Sequence, residues 1–170
     1  MTRYAAFLRG VNVGGVNLRM ADVATALTGA GFTDVTTVLA SGNVLLTSDS
    51  PVTAVRVAAE SALRDAFGYD AWVLAYDRDA LAAISAAYPF EREVDGHHSY
   101  VTFVTDADVL DELTGLSAEE RVERGDGVVY WQVPKNGTLD SAIGKTMGTK
   151  RYKSSTTTRN LRTLEKVLAK

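Results

Sequence analysis

The 170-residue chain contains no cysteine. That excludes a disulfide framework, a zinc–thiolate site, an iron–sulfur cluster and a cysteine nucleophile. Together with the lack of a signal-peptide pattern after Met1, it makes the reducing cytoplasm the expected compartment. Histidine is nearly absent as well: His97 and His98 are the two copies, side by side. Adjacent side chains in a linker rarely chelate one ion, so solvated loop histidines are expected and no metal site. No apolar run approaches the roughly eighteen residues of a membrane span, so no membrane partner is expected. Nothing marks a cofactor or an oligomeric state.

Lysine is missing from the first 134 residues. From Lys135 onward there are nine basic residues against two acidic ones; the preceding part holds nine basic and nineteen acidic. Such polarity either steers an anionic ligand to one region or lays a basic segment over an acidic body. The overall charge of −3 argues against generic nucleic-acid affinity.

What is present is a clear alternation of periods. Residues 4–9 predict a buried strand, and Met20, Val23, Ala24 and Leu27 lie on one helical face that ends at Gly29 and Gly31. Val35 to Leu39 predicts a strand, Gly42-Asn43 a two-residue hairpin, and Val44 to Thr47 its partner strand. Pro51 opens a helix whose Val55, Ala59, Leu63 and Phe67 share a face, Gly68 closes it, and Ala71 to Tyr76 predicts a strand. Asp77 is placed to cap a helix that Pro89 stops. Residues 90–98 predict a linker.

The pattern then begins again. Tyr100 to Val104 predicts a strand, 106–114 a helix and 119–124 a weak strand. Gly125-Asp126-Gly127 predicts a turn, and Val128 to Val133 a strong strand. Helices are expected around Leu139, Ile143 and Met147 and around Leu161, Leu164 and Val167. The fold class expected is α+β: two ferredoxin-like, βαββαβ-type subdomains, with antiparallel sheets and helices packed on one face. Their limits are 1–76 and 99–170, joined by a helix and linker over 77–98.

The densest chemical signal is Leu8-Arg9-Gly10-Val11-Asn12-Val13-Gly14-Gly15. A strand ends in an arginine and a permissive loop leads to a helix, a layout in which backbone N–H groups surround an anion. It is neither G-x-G-x-x-G nor a Walker A loop. In βαββαβ topology this loop and the Ser41-Gly42-Asn43 turn share one edge. Arg9 and Arg19, with Gly10, Asn12, Gly14, Gly15, Ser41 and Asn43, are therefore candidates for an anion cradle. Each glycine and asparagine also fits a plain turn role. Thr156, Thr157 and Thr158 precede the last helix and supply an N-cap candidate. Hydroxyls beside a guanidinium at a helix start also suit a phosphate or carboxylate, which adds Lys145, Thr158, Arg159 and Asn160 as candidates, brought to the cradle if the basic segment folds back.

With these motifs in hand, the chain resembles the bacterial domain-of-unknown-function family 1697. The resemblance rests on the Leu-Arg-Gly-Val-Asn-Val-Gly-Gly stretch, on Ser41-Gly42-Asn43 and on Thr157-Thr158-Arg159-Asn160. It implies an α+β fold with two ferredoxin-like parts and implies no activity.

Three function classes follow. Binding of a small phosphate- or carboxylate-bearing ligand at the glycine-rich loop is the expected one, with catalysis undecided and catalytic residues unknown. An acylphosphatase-like phosphoryl hydrolase is the enzymatic alternative: an arginine would clamp the phosphoryl oxygens and Asn43 would orient a water, by fold-level analogy. An RNA-binding or protein-interaction module is the third. RNA is not favoured, because Tyr100, Phe103, Tyr130 and Trp131 are expected in a core rather than on a stacking platform.

Overall fold

The computed structural model describes residues 1–9, 16–92, 94–114, 121–134 and 155–170. The expected site residues Gly10, Asn12, Gly14, Gly15 and Lys145, and the helix expected around Leu139 to Met147, lie outside the described residues.

Tertiary contacts divide the chain into two units, Met1–Ala82 with Lys166–Lys170, and Ala83–Glu165. The first unit contains β1 (Thr2–Leu8), α1 (Met20–Gly29), β2 (Thr33–Val38), β3 (Asn43–Ser48), α2 (Val52–Phe67) and β4 (Val73–Asp77). The sheet order is β2-β3-β1-β4 with every neighbouring pair antiparallel, the βαββαβ order legible in the sequence.

Strand period and helix period meet in its core. Tyr4, Ala6 and Leu8 alternate along one face of β1, beside Val44 and Leu46 of β3 and Val73 of β4. Against them lie Val23 and Leu27 of α1 and Val55, Ala59 and Leu63 of α2, each set spaced by one helical turn. The intervening residues Ala5, Phe7, Leu45 and Leu74 are buried too, so β1 is apolar on both faces, as its lack of alternation suggests.

Two polar side chains fix α2 to the sheet edge. The buried Glu60 accepts the Val73 N–H at 2.9 Å. Arg64 donates to the Ala71 carbonyl from Nε (3.2 Å) and Nη2 (2.9 Å) while lying 4.8 Å over the Trp72 ring.

The remaining elements are α3 (Arg78–Ala86), β5 (His97–Val104), α4 (Ala107–Thr114), β6 (Arg121–Arg124), β7 (Val128–Pro134), β8 (Thr156–Asn160) and α5 (Leu161–Leu168). The second sheet has the order β6-β7-β5-β8, again antiparallel throughout. It repeats the arrangement of the first, with β8 in the place of β4. Val129, Trp131 and Val133 of β7 and Val104 of β5 pack with Val109, Leu110 and Leu113 of α4. Asp77 accepts the Ala80 N–H at 2.7 Å, the cap its position suggests, and Asp106 accepts Asp108 N–H at 2.9 Å at the start of α4.

Three expectations need correction. The Gly42-Asn43 pair is not a two-residue turn: Val38 pairs with Asn43, and the connection is the four residues Leu39 to Gly42. Leu39 at φ 60 and Gly42 at φ 89 bracket it, and a leucine in the left-handed region carries no propensity signal. Thr156, Thr157 and Thr158 do not cap the last helix. They form β8 beside β5, where β-branched side chains suit a pleated surface, and Asn160 is the cap, its Oδ1 accepting the Arg162 N–H at 2.9 Å. The histidines are not linker residues; they open β5.

The β6–β7 turn gives a stability prediction. A Cβ on Gly125 would stand 2.5 Å from Tyr130 Cε2 and 2.7 Å from Val128 Cγ2. The Tyr130 ring is held by its hydroxyl, which donates to the Ile84 carbonyl at 2.7 Å. Gly125→Ala is expected to cost about 1–3 kcal/mol in urea unfolding, the range for overpacking. Gly29→Ala has open space around the new methyl and is the control, expected to leave stability unchanged or raised.

Candidate functional site

In the first unit β1 and β2 run in the same direction with β3 antiparallel between them. The end of β1 and the β2–β3 turn therefore meet at one sheet edge. Phe7 stands opposite Asn43, and the Leu8 N–H donates to the Gly42 carbonyl at 2.8 Å. The chain must travel back along the sheet through α1, so that helix starts from the same edge. Arg9, Ser41 and Asn43 are thus brought together although more than thirty residues separate the first from the others.

Asn43 shapes this edge from within. It is fully buried, and its Nδ2 donates to the Val38 carbonyl and to Ser41 Oγ, both at 3.0 Å. The amide closes the four-residue turn and holds the serine in place. Arg9 follows the last residue of β1, and its N–H donates to the Trp72 carbonyl at 3.0 Å, which fixes where its side chain starts. The side chain is half-buried, and that burial lowers the guanidinium pKa from its usual value. Arginine remains cationic at neutral pH all the same, so the edge carries a partly desolvated positive charge. Arg19, exposed, occupies the N-cap position of α1, which has no side-chain cap.

Thr158, Arg159 and Asn160 sit together in the second unit, on β8. Thr158 Oγ1 is 2.8 Å from Thr102 Oγ1, across a registered pair. Arg159 is buried, and its Nη1 donates to Thr157 Oγ1 at 2.7 Å and to the Thr158 carbonyl at 3.0 Å. Asn160 caps α5. Among the described residues no group of three or more histidine, aspartate or glutamate side chains is arranged to hold a metal ion, and no helix is long and apolar enough to cross a membrane.

These features define an α+β protein of two similar four-stranded antiparallel units, one of which joins an arginine to a buried asparagine turn at its sheet edge. The chain belongs to the protein family of unknown function DUF1697, whose pattern matches residues 1–130. That span includes Arg9, Ser41 and Asn43 and stops before β8. Among solved structures the chain is similar to a conserved bacterial protein, SP0830 from Streptococcus pneumoniae. The TM-score is 0.81 at 22% identity, over 99% of this chain and 97% of that one. At that identity the likeness bears on the fold. No curated protein matches the sequence.

Proposed function

We propose that the protein binds a small anionic ligand, bearing a phosphate or carboxylate group, at the edge where β1 ends. The convergence of Arg9 with the Ser41–Asn43 turn carries this reading. A half-buried guanidinium attracts an anion more strongly than a solvated one, because the surrounding dielectric is lower. Arg9 would supply the charge, Gly10, Gly14 and Gly15 backbone donors, and Asn12 and Ser41 orienting groups. Asn43, with its Nδ2 bound inside the hairpin, shapes the turn, a role that favours binding over water activation. The site so proposed lies within the first unit.

The test is thermal unfolding with inorganic phosphate, acetyl phosphate, nucleoside phosphates and small carboxylates. A ligand at about a hundred times its Kd stabilises by about 2.7 kcal/mol, or roughly 5–10 °C for a chain of this size. Arg9→Gln is expected to remove that shift while keeping the circular dichroism of the parent. Equal stabilisation of parent and variant, or no response to any anion, would overturn the reading.

A further inference from the structure

The second unit contains a polar notch that follows from its strand register. The last β5–β8 pair is Tyr100 with Asn160. At Leu161 the chain leaves the sheet and becomes α5, yet β5 extends beyond this pair through Ser99, His98 and His97. The space beside those three residues, where β8 no longer runs, is a cavity of about 170 Å³. Asp95, His97, His98, Asn160, Arg162 and Glu165 line it, with Ser99 on the strand between them.

The groups in it are not equally available. Glu165 is held by Arg92, whose Nη2 donates to its Oε1 at 2.9 Å and which also donates to the Ser85 carbonyl at 2.8 Å. Ser99 Oγ accepts from Gln132 Nε2 at 3.1 Å. Asn160 Oδ1 is occupied as the helix cap. His97 Nδ1 lies 3.2 Å from the Asp95 carbonyl, leaving its Nε2 toward other partners. The His98 ring lies 5.5 Å from the Tyr100 ring, tilted by 42°, and makes no hydrogen bond among the described residues, and the Arg162 guanidinium makes no ion pair among them.

We propose that this notch is a second ligand pocket, for a small oxyanion such as a sulfate, phosphate or carboxylate group, bound by Arg162, His98 and His97. Arg162 supplies a constant positive charge. Each imidazole adds a ring N–H that can donate to an anion oxygen. The opposing charges on the walls are Asp95, from the turn before β5, and Glu165, from α5, the latter offset by Arg92. The volume suits a small head group rather than a drug-sized molecule, whose pockets run from about 300 Å³ upward. The pocket lies wholly in the second unit and is independent of the Arg9 edge.

Sulfate is the probe. Full-length protein is titrated with sulfate at constant ionic strength, following the imidazole ring resonances by NMR. Saturable shifts of His97 and His98 are expected. Arg162→Gln is expected to weaken binding about tenfold or more, and His98→Gln to weaken it by a smaller factor. Arg162 is exposed and His98 half-exposed, so both variants are expected to keep the parent circular dichroism. Arg9→Gln, titrated in parallel, is expected to leave these resonances' response intact, which separates this pocket from the first-unit site. Shifts that never saturate, or binding indifferent to Arg162→Gln, would overturn the proposal.

Discussion

Replacing Trp131 with alanine is expected to destabilise the second unit by about 3–5 kcal/mol, the range for removing a large buried aromatic. Trp131 is 1% exposed and is the largest fully buried side chain. It lies at the centre of the β7 face that packs with Val109, Leu110 and Leu113 of α4. Its ring is 4.6 Å from Tyr100, and its Nε1 donates to Thr102 Oγ1 at 2.9 Å. Thr102 in turn meets Thr158, so one indole joins β7, β5 and β8. Trp131→Phe keeps most of the packing and drops the indole donor, and is expected to cost about 1–2 kcal/mol, a hydrogen bond plus a small cavity. Urea unfolding measures both. In either variant Trp72 is the remaining tryptophan, so fluorescence reports the first unit while far-ultraviolet circular dichroism reports the whole. A loss below about 1 kcal/mol for Trp131→Ala would mean that the indole is not central to this core.

How far the sequence discloses this arrangement depends on the range of the forces involved. The elements of the first unit are legible because their signals are local. Val55, Ala59 and Leu63 are one turn apart, Gly68 takes the left-handed φ of 65 that ends α2, and Asp77 sits where a cap belongs. β8 was not legible. A threonine run before a helix suits an N-cap as well as a strand, and the choice is made by β5, more than fifty residues upstream, whose Thr102 and Val104 provide the partners. The β2–β3 hairpin is legible, but the length of its turn is not, for a similar reason: Gly-Asn is a strong local turn signal, yet Asn43 is drawn into β3 by Phe7 and Val38 on either side.

The candidate sites divide along the same line. The meeting of Arg9 with Ser41 and Asn43 follows from strand direction alone, so a topological argument from sequence reaches it. The histidine notch depends on register, on β5 outrunning β8, and a sequence that shows His97 and His98 after Asp95-Gly96 looks like a turn. The residues that could bind the ligand are visible in both cases; what brings them together is local in neither.

The fold is expected to lose stability steeply above pH 10. Burial raises the pKa of Tyr76 well above the usual tyrosine range, against a smaller opposing pull from the positive charge of Arg56. Burial also raises Tyr69 and Tyr130, the latter helped by the negative charge of Asp126. Tyr88 is raised by burial too, less the effect of its hydrogen bonds to Ser99 and Gln132 and of the charges of Arg92 and Arg121. In the unfolded chain each phenol ionises near its ordinary value of about 10. Below that pH both states are neutral at these positions, and they contribute no pH dependence. Above it the unfolded chain releases protons that the folded protein retains, so stability falls by about 1.4 kcal/mol per pH unit for each such tyrosine until its folded pKa is reached. Urea midpoints between about pH 9 and pH 11.5 test the slope, and tyrosinate absorbance of the native protein tests the cause. Tyr76→Phe removes the most strongly shifted group and is expected to make the decline shallower by about one tyrosine's share. A flat profile, or native tyrosines that ionise along the ordinary curve while the protein is still folded, would show that these phenols are reached by water and that the faces they line are not closed.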